Sequence, residues 1–185
     1  MRGYLGGFYK LKGLYLSNNQ INGSIFENFG RNCRYLEYLD LSGNFLVGRI
    51  PDSLGNCQRL QTLLLFSNML DGVIPNELGQ LHKLEILDVS RSKHSGLIPA
   101  ELENFVWLSV LVLSNLFDHV LSEQSSSAEL SFRLPLATTD EHNRLRGSIP
   151  MTTTTLPKLR MLWVPRANLG GSWQGIGTAV RIWKS

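Results

Sequence analysis

Apolar positions recur along this chain in a fixed frame, not at the period of a single helix or strand. One copy runs Leu36, Leu39, Leu41, Asn44, Leu46, Gly48, Ile50, Pro51. It returns 24 residues later as Leu60, Leu63, Leu65, Asn68, Leu70, Gly72, Ile74, Pro75. A further copy holds Leu84, Leu87, Val89, Gly96, Ile98 and Pro99. An earlier one holds Leu11, Leu14, Leu16, Asn19, Ile21, Gly23 and Ile25, with Phe26 where Pro is expected. A fifth starts at Leu108, Leu111 and Leu113, breaks off, and resumes at Asn143, Leu145, Gly147, Ile149 and Pro150. A sixth has Leu159, Leu162, Val164, Leu169 and Gly171. Self-similarity at such a period marks a stack of units, none of which can bury its own apolar face alone.

Each slot predicts a local structure. Leu-x-Leu is extended, so its two Leu share one face and point into the stack. The Asn three residues on carries two donors and an acceptor on a short stem, suited to satisfying backbone groups where the chain turns inward. Gly permits a backbone conformation closed to other residues. Ile-Pro starts the return leg with φ limited by the ring. Leu54-Gly55-Asn56-Cys57 and Leu78-Gly79-Gln80-Leu81 place apolar groups along that leg. The predicted fold is a leucine-rich repeat solenoid, an α/β-type horseshoe. Short parallel strands line its concave face, and its return legs are irregular or 3-10.

The frame also divides the chain. Residues 1–10 are a lead with no Cys-bearing cap, 11–116 hold repeats one to four and the start of the fifth, 117–142 are an inserted island, 143–173 complete repeats five and six, and 174–185 are an aberrant tail. The island contains a Ser-rich stretch, Ser122–Ser127, expected to be flexible. It also contains alternating Leu130, Phe132, Leu134 and Leu136, which suit a short strand. The tail lacks the expected Leu. With codons chosen to fit, a shifted reading frame over 175–185 restores Cys and Leu at the spacing of Cys57 and Leu60, so the tail reads as out of frame and the chain as a fragment. Substitutions mark weak joints. Ser92 and Ala167 stand in Asn slots, and Leu116 takes the Asn slot of the fifth repeat with Asn115 one residue early. His94 stands in a Leu slot, which implies either a shifted loop or a local cost, and repeat four is expected to be the soft link.

Composition narrows the class. Apolar residues make up 43% of the chain and 33 residues are Leu, enough for a packed core. Net charge is +3, too small to argue for nucleic acid, and all of the excess lies in 156–185, where five basic residues meet no acidic one. No apolar run is long enough to cross a membrane, and Met1 to Lys10 lacks the apolar stretch of a signal peptide. Cys33 and Cys57 occupy equivalent return-leg slots. Side chains in such a ladder run parallel, so two buried small apolar residues are expected rather than a disulfide. His82, His94, His119 and His142 form no triad or metal spacing, and no phosphate-cradling loop or kinase signature appears. No catalytic residue, cofactor or metal site is expected, and no enzymatic activity.

Candidate binding residues lie on the concave face. The residue between the two strand Leu gives one column, Tyr15, Asp40, Leu64, Asp88, Val112 and Trp163. The next is Ser17, Ser42, Phe66, Ser90, Ser114 and Pro165. Apolar groups at exposed positions, aromatics above all, mark interaction patches. Tyr38, Leu64, Phe66, Asp88, Val112 and Trp163 are the candidates for ligand or partner binding, with Arg91 and Arg166 as nearby polar contacts. The competing reading is that the island packs over this face. Asn22-Gly23-Ser24 is an N-glycosylation sequon, effective only in the secretory pathway.

The Leu-Gly-Asn-Cys and Gly-x-Ile-Pro elements resemble the plant-specific class of leucine-rich repeat, typical of plant receptor-like kinase ectodomains. The stretches Ser109–Phe117, Leu156–Gly170 and Leu41–Pro51 are similar to the receptor-like protein kinase 2, or Toadstool-type, subfamily. This resemblance implies the ligand-binding portion of a receptor Ser/Thr kinase on the extracellular side of the plasma membrane, active in developmental signalling. Its partners would be a peptide ligand or a receptor or co-receptor ectodomain, with no nucleic acid, and with the membrane reached only through a transmembrane segment this sequence lacks. The alternatives are a stand-alone secreted or truncated repeat protein acting as decoy or inhibitor, and a non-functional gene fragment.

Overall fold

The structure is a computed structural model that describes residues 10–113, 143–150 and 156–164, with the backbone alone at 169–170 and 181–182. Seven strands form one parallel sheet in chain order: β1 (Gly13–Tyr15), β3 (Tyr38–Asp40), β5 (Thr62–Leu64), β7 (Ile86–Asp88), β9 (Val110–Val112), β11 (Met161–Trp163) and β13 (Arg181–Ile182). Beside it lie two lateral three-stranded sheets. One holds β2 (Asn22–Gly23), β4 (Phe45–Arg49) and β6 (Met69–Asp71). The other holds β8 (Ser95–Leu97), β10 (Arg144–Ser148) and β12 (Leu169–Gly170). Return legs are 3-10 turns at Phe29–Arg31, Asp52–Asn56, Asn76–Gln80 and Ala100–Asn104. Pro51, Pro75 and Pro99 lead into the last three. No α-helix occurs among the described residues. The leucine-rich repeat solenoid expected from the sequence is the observed fold.

The core is the repeated apolar frame. Leu39, Leu63, Leu65, Leu87, Val89 and Leu113 have no exposed surface, and Leu41, Leu111 and Leu162 have 1%. The first layer, Leu11, Leu14, Leu16 and Ile21, is only half-buried. Where one turn packs on the next, Gly is required by space. A Cβ on Gly79 would run into the backbone carbonyl of Glu101 in the following repeat. Gly96 adopts φ +84°, and its open face receives the Val73 side chain.

A ladder of Asn side chains ties the turns together. Asn44 donates through Nδ2 to the carbonyls of Leu41 in its own repeat (3.0 Å) and Leu16 in the one before (2.8 Å). Its Oδ1 accepts from the Ile21 N–H at 3.0 Å. Asn68 does the same with Leu65, Leu41 and the Leu46 N–H. Asn143 donates to Leu113 and Val89 and accepts from the His94 N–H. Buried backbone groups that would cost ~1–3 kcal/mol unpaired are thereby satisfied.

Asn143, not Leu116, therefore fills the Asn slot of the fifth repeat. The carbonyl it binds lies three residues upstream in other repeats and thirty here. The island at 117–142 lies outside the described residues, but its two attachment points, Leu113 and Asn143, meet in one turn. At Ser92 the ladder is interrupted. The Ser92 hydroxyl is buried without a hydrogen-bond partner, and the lateral sheet divides between β6 and β8 at this turn. Backbone bonds from the Lys93 N–H to Leu70 and from the Ser95 N–H to Gly72 still cross the gap. His94 shows no shifted loop. It sits fully buried in its Leu slot, with its backbone N–H bound as the register requires.

One expectation is corrected. Cys33 and Cys57 form a disulfide, with Cα atoms 5.2 Å apart. Parallel side chains in adjacent turns do not prevent the bond. Successive turns stack at nearly the Cα separation a disulfide prefers, so equivalent slots in adjacent repeats can be bridged. The tail lacks the repeat's Leu, yet the backbone of Arg181–Ile182 pairs with Met161–Leu162 and extends the main sheet by one strand.

Candidate functional site

The strand register builds the concave face one residue per turn. Tyr15 pairs with Asp40, Asp40 with Leu64, Leu64 with Asp88, Asp88 with Val112 and Val112 with Trp163. The first predicted column is thus one hydrogen-bonded row. Leu64, Asp88, Val112 and Trp163 are half-buried neighbours within it. Phe66, also half-buried, stands two residues beyond Leu64 on the same face. Tyr38 belongs to the adjacent row. Its hydroxyl donates to Gln61 Oε1 at 3.1 Å, and its ring stacks on Tyr15 with centroids 6.3 Å apart. Asn22 is exposed on β2, away from this face.

The Ser column departs from expectation. Ser42 and Ser90 are buried, not exposed. In each case the Ser is hydrogen-bonded to an Asp two residues earlier. Asp40 Oδ1 accepts from the Ser42 N–H (3.0 Å) and Oγ (2.6 Å), and Asp88 Oδ1 accepts from the Ser90 N–H at 2.9 Å. Phe66 has no such Asp before it and stays at the surface. Ser114, Pro165 and Arg166 lie outside the described residues.

The sequence reading missed the row that holds Ile86, Val110 and Met161, each two residues before a predicted member and paired with one another. The available signal was simple: strand alternation places residues i and i+2 on one face. With them, the concave side between β5 and β11 carries an apolar strip of Leu64, Ile86, Val110, Val112, Met161 and Trp163, interrupted in its row by Asp88. Asp88 is the one carboxylate on these strands between β5 and β11. Burial among these side chains pushes its carboxyl above the usual range, against the pull of the Ser90 hydrogen bonds and the Arg91 charge. Strip and acid together can hold an apolar segment and fix one polar group on it.

Known proteins match this architecture. The Leucine Rich Repeat family profile matches residues 10–32, 35–57 and 59–81. Receptor-like protein kinase BRI1-like 3 of Arabidopsis thaliana is 46% identical over 50 residues, covering 27% of this chain and 4% of that protein. The crystal structure of a TDR receptor superposes with TM-score 0.72 at 25% identity, over 94% of this chain and 26% of the receptor. The Arabidopsis receptor kinase HAESA ectodomain, solved with an N-terminally extended IDA peptide hormone, gives TM-score 0.63 at 34% identity, over 92% of this chain and 30% of that one. The chain is built of leucine-rich repeats, and its relatives include the ectodomains of plant leucine-rich-repeat receptor kinases. It spans less than a third of each of these three relatives.

Proposed function

We propose that this chain is a peptide-binding portion of a plant receptor-like Ser/Thr kinase of the receptor-like protein kinase 2 type, placed on the extracellular side of the plasma membrane and working in developmental signalling. The observation that carries this reading is the apolar strip from Leu64 to Trp163 interrupted by Asp88, on the face a solenoid presents to ligands. The bound HAESA neighbour supports a peptide as ligand class. A co-receptor ectodomain is the second partner such a module would meet. Recognition is the whole contribution of these repeats, and phosphoryl transfer would belong to a kinase domain elsewhere in the receptor. Apolar side chains of an extended peptide would lie on Val110, Val112 and Trp163, and a basic or donor group would face Asp88.

The test is binding of secreted plant peptide fractions to the immobilised chain, followed by mass spectrometry. Val112→Asp, which sets a charge in the strip opposite Asp88, is expected to abolish retention of any specific peptide, with a thermal melt checking that the variant is still folded at the assay temperature. Equal retention by the wild type and Val112→Asp would remove the concave face from the proposal.

A further inference from the structure

The corner where each return leg turns into the next concave strand carries a second row. Tyr35, Arg59, Lys83, Trp107 and Lys158 each stand three residues before the first residue of β3, β5, β7, β9 and β11. Arg59, Lys83, Trp107 and Lys158 are exposed. The row is ordered. The Arg59 guanidinium lies over the Tyr35 ring at 5.0 Å, with Arg34 near the same ring at 5.8 Å, and the Lys158 ammonium lies over Trp107 at 5.3 Å. Backbone bonds two residues further on, Gln61 N–H to Glu37, Glu85 N–H to Gln61, Ser109 N–H to Glu85 and Arg160 N–H to Ser109, lock successive corners together. The Lys12–Glu37 ion pair does not involve the row. The acidic group exposed beside it is Glu85, two residues from Lys83.

We propose that this corner row is a docking strip, separate from the concave face, for an extended acidic peptide segment of a partner protein. The complement to three exposed cations interleaved with aromatic faces is a segment that alternates carboxylates with an apolar or aromatic residue. At ~4.8 Å per turn the strip spans about 19 Å, the length of about six extended residues at ~3.3 Å each. Cations separated by Trp107 and flanked by Val106 and Glu85 are too sparse for a polyelectrolyte, whose affinity rests on dense charge neutralisation. Ring stacking holds Arg59 and Lys158 in place before any partner arrives, so less side-chain freedom is lost on docking.

The experiment is fluorescence anisotropy on the full chain with a fluorescein-labelled hexapeptide of Glu and Asp bearing one central Phe, and with the same peptide carrying Lys for each acid. The acidic peptide is expected to bind and the basic one not. Lys83→Glu should weaken binding by about tenfold or more, Lys83→Arg should keep it, and Trp107→Ala should reduce it, as loss of a partly desolvated cation or aromatic contact does. Val112→Asp on the concave face should leave this binding intact, which separates failure here from failure of the concave reading. Thermal melts check that each exposed variant folds. Binding unchanged by both Lys83→Glu and Trp107→Ala overturns the proposal, as does equal binding of the basic peptide. Tighter binding of a polyuronate or an oligonucleotide of matched charge overturns the peptide assignment.

Discussion

The Asn143 side chain donates to the Leu113 carbonyl at 2.8 Å across thirty residues of sequence, the same bond that Asn44 makes to Leu41 across three. The solenoid therefore closes its fifth turn over the insertion as though the intervening chain were absent. The residues that occupy the ladder, Leu113 and Asn143, keep the register of an uninterrupted repeat.

Replacement of residues 114–142 by Ser-Gly, copying the Leu41-Ser42-Gly43-Asn44 junction, should then give a chain that folds with unchanged circular dichroism. Loop length alone changes closure entropy by only ~0.6 kcal/mol per doubling. Asn143→Ala should instead cost about 2–3 kcal/mol in urea unfolding, because Leu113, Val89 and the His94 N–H lose their partner together. A deletion that unfolds the chain would mean the insertion is part of the core.

Most of this fold is legible in the sequence because each slot answers one physical demand, repeated. Leu39 and Leu63 had to be inside, Gly79 had to admit Glu101, and Asn44 had to meet two carbonyls. What stayed hidden depends on distances between turns. The Cys33–Cys57 bond needs the stacking step, which no single repeat encodes. The burial of Ser42 and Ser90, each hydrogen-bonded to the Asp two residues earlier, is set by packing and not by strand alternation. Of the candidate site, the row through Leu64, Asp88, Val112 and Trp163 was readable from alternation, while the corner row lies outside any strand and has no period-two signature.

The disulfide joins equivalent slots in the first two return legs at a separation of 24 residues. Cross-linking a loop of this size removes denatured-state freedom worth ~3 kcal/mol. Reduction should therefore lower the urea midpoint of the wild type, and Cys33→Ser with Cys57→Ser should abolish the effect of reductant. Alkylation before and after reduction checks the premise, since both thiols should be modified only afterwards. Free thiols in oxidised protein would sink it.

Burial in the strip raises the Asp88 carboxyl above the range of an open carboxylate, against the Ser90 hydrogen bonds and the Arg91 charge. Its folded pKa is raised, so the folded state binds more protons than the unfolded one just above the ordinary carboxylate range, and this group opposes stability as pH rises through that range. Asp88→Asn keeps an acceptor for the Ser90 N–H and removes the charge. Its melting temperature should exceed that of the wild type at pH 7 and converge with it at acid pH. A lower value at pH 7 would show that the carboxylate is paired and not merely buried.

His94 is the sharper acid liability. It fills the slot that Leu46, Leu70 and Leu145 fill in other repeats, fully buried, and neither ring nitrogen has a hydrogen bond of ordinary geometry. Burial drives its pKa down from 6.5 to about 4, against a weaker opposing pull from the backbone and carboxylate of Asp71 and the backbone of Gly72. Above pH 6.5 the imidazole is neutral in both states and contributes no slope. Between 6.5 and 4 the unfolded chain takes up a proton that the folded one refuses, so stability falls as pH falls, by about 3 kcal/mol across the window. Ser92, two residues earlier, leaves a second unpaired polar group in the same turn, which makes repeat four the place where acid unfolding should begin. His94→Leu restores the repeat and removes two unsatisfied nitrogens. It should add about 1–2 kcal/mol at pH 7.5 and more at pH 4.5. The measurement is the difference in urea unfolding free energy between the two proteins at each pH, which cancels the carboxylates they share. A difference that does not grow toward acid would place the proton elsewhere and leave His94 as a packing substitution only.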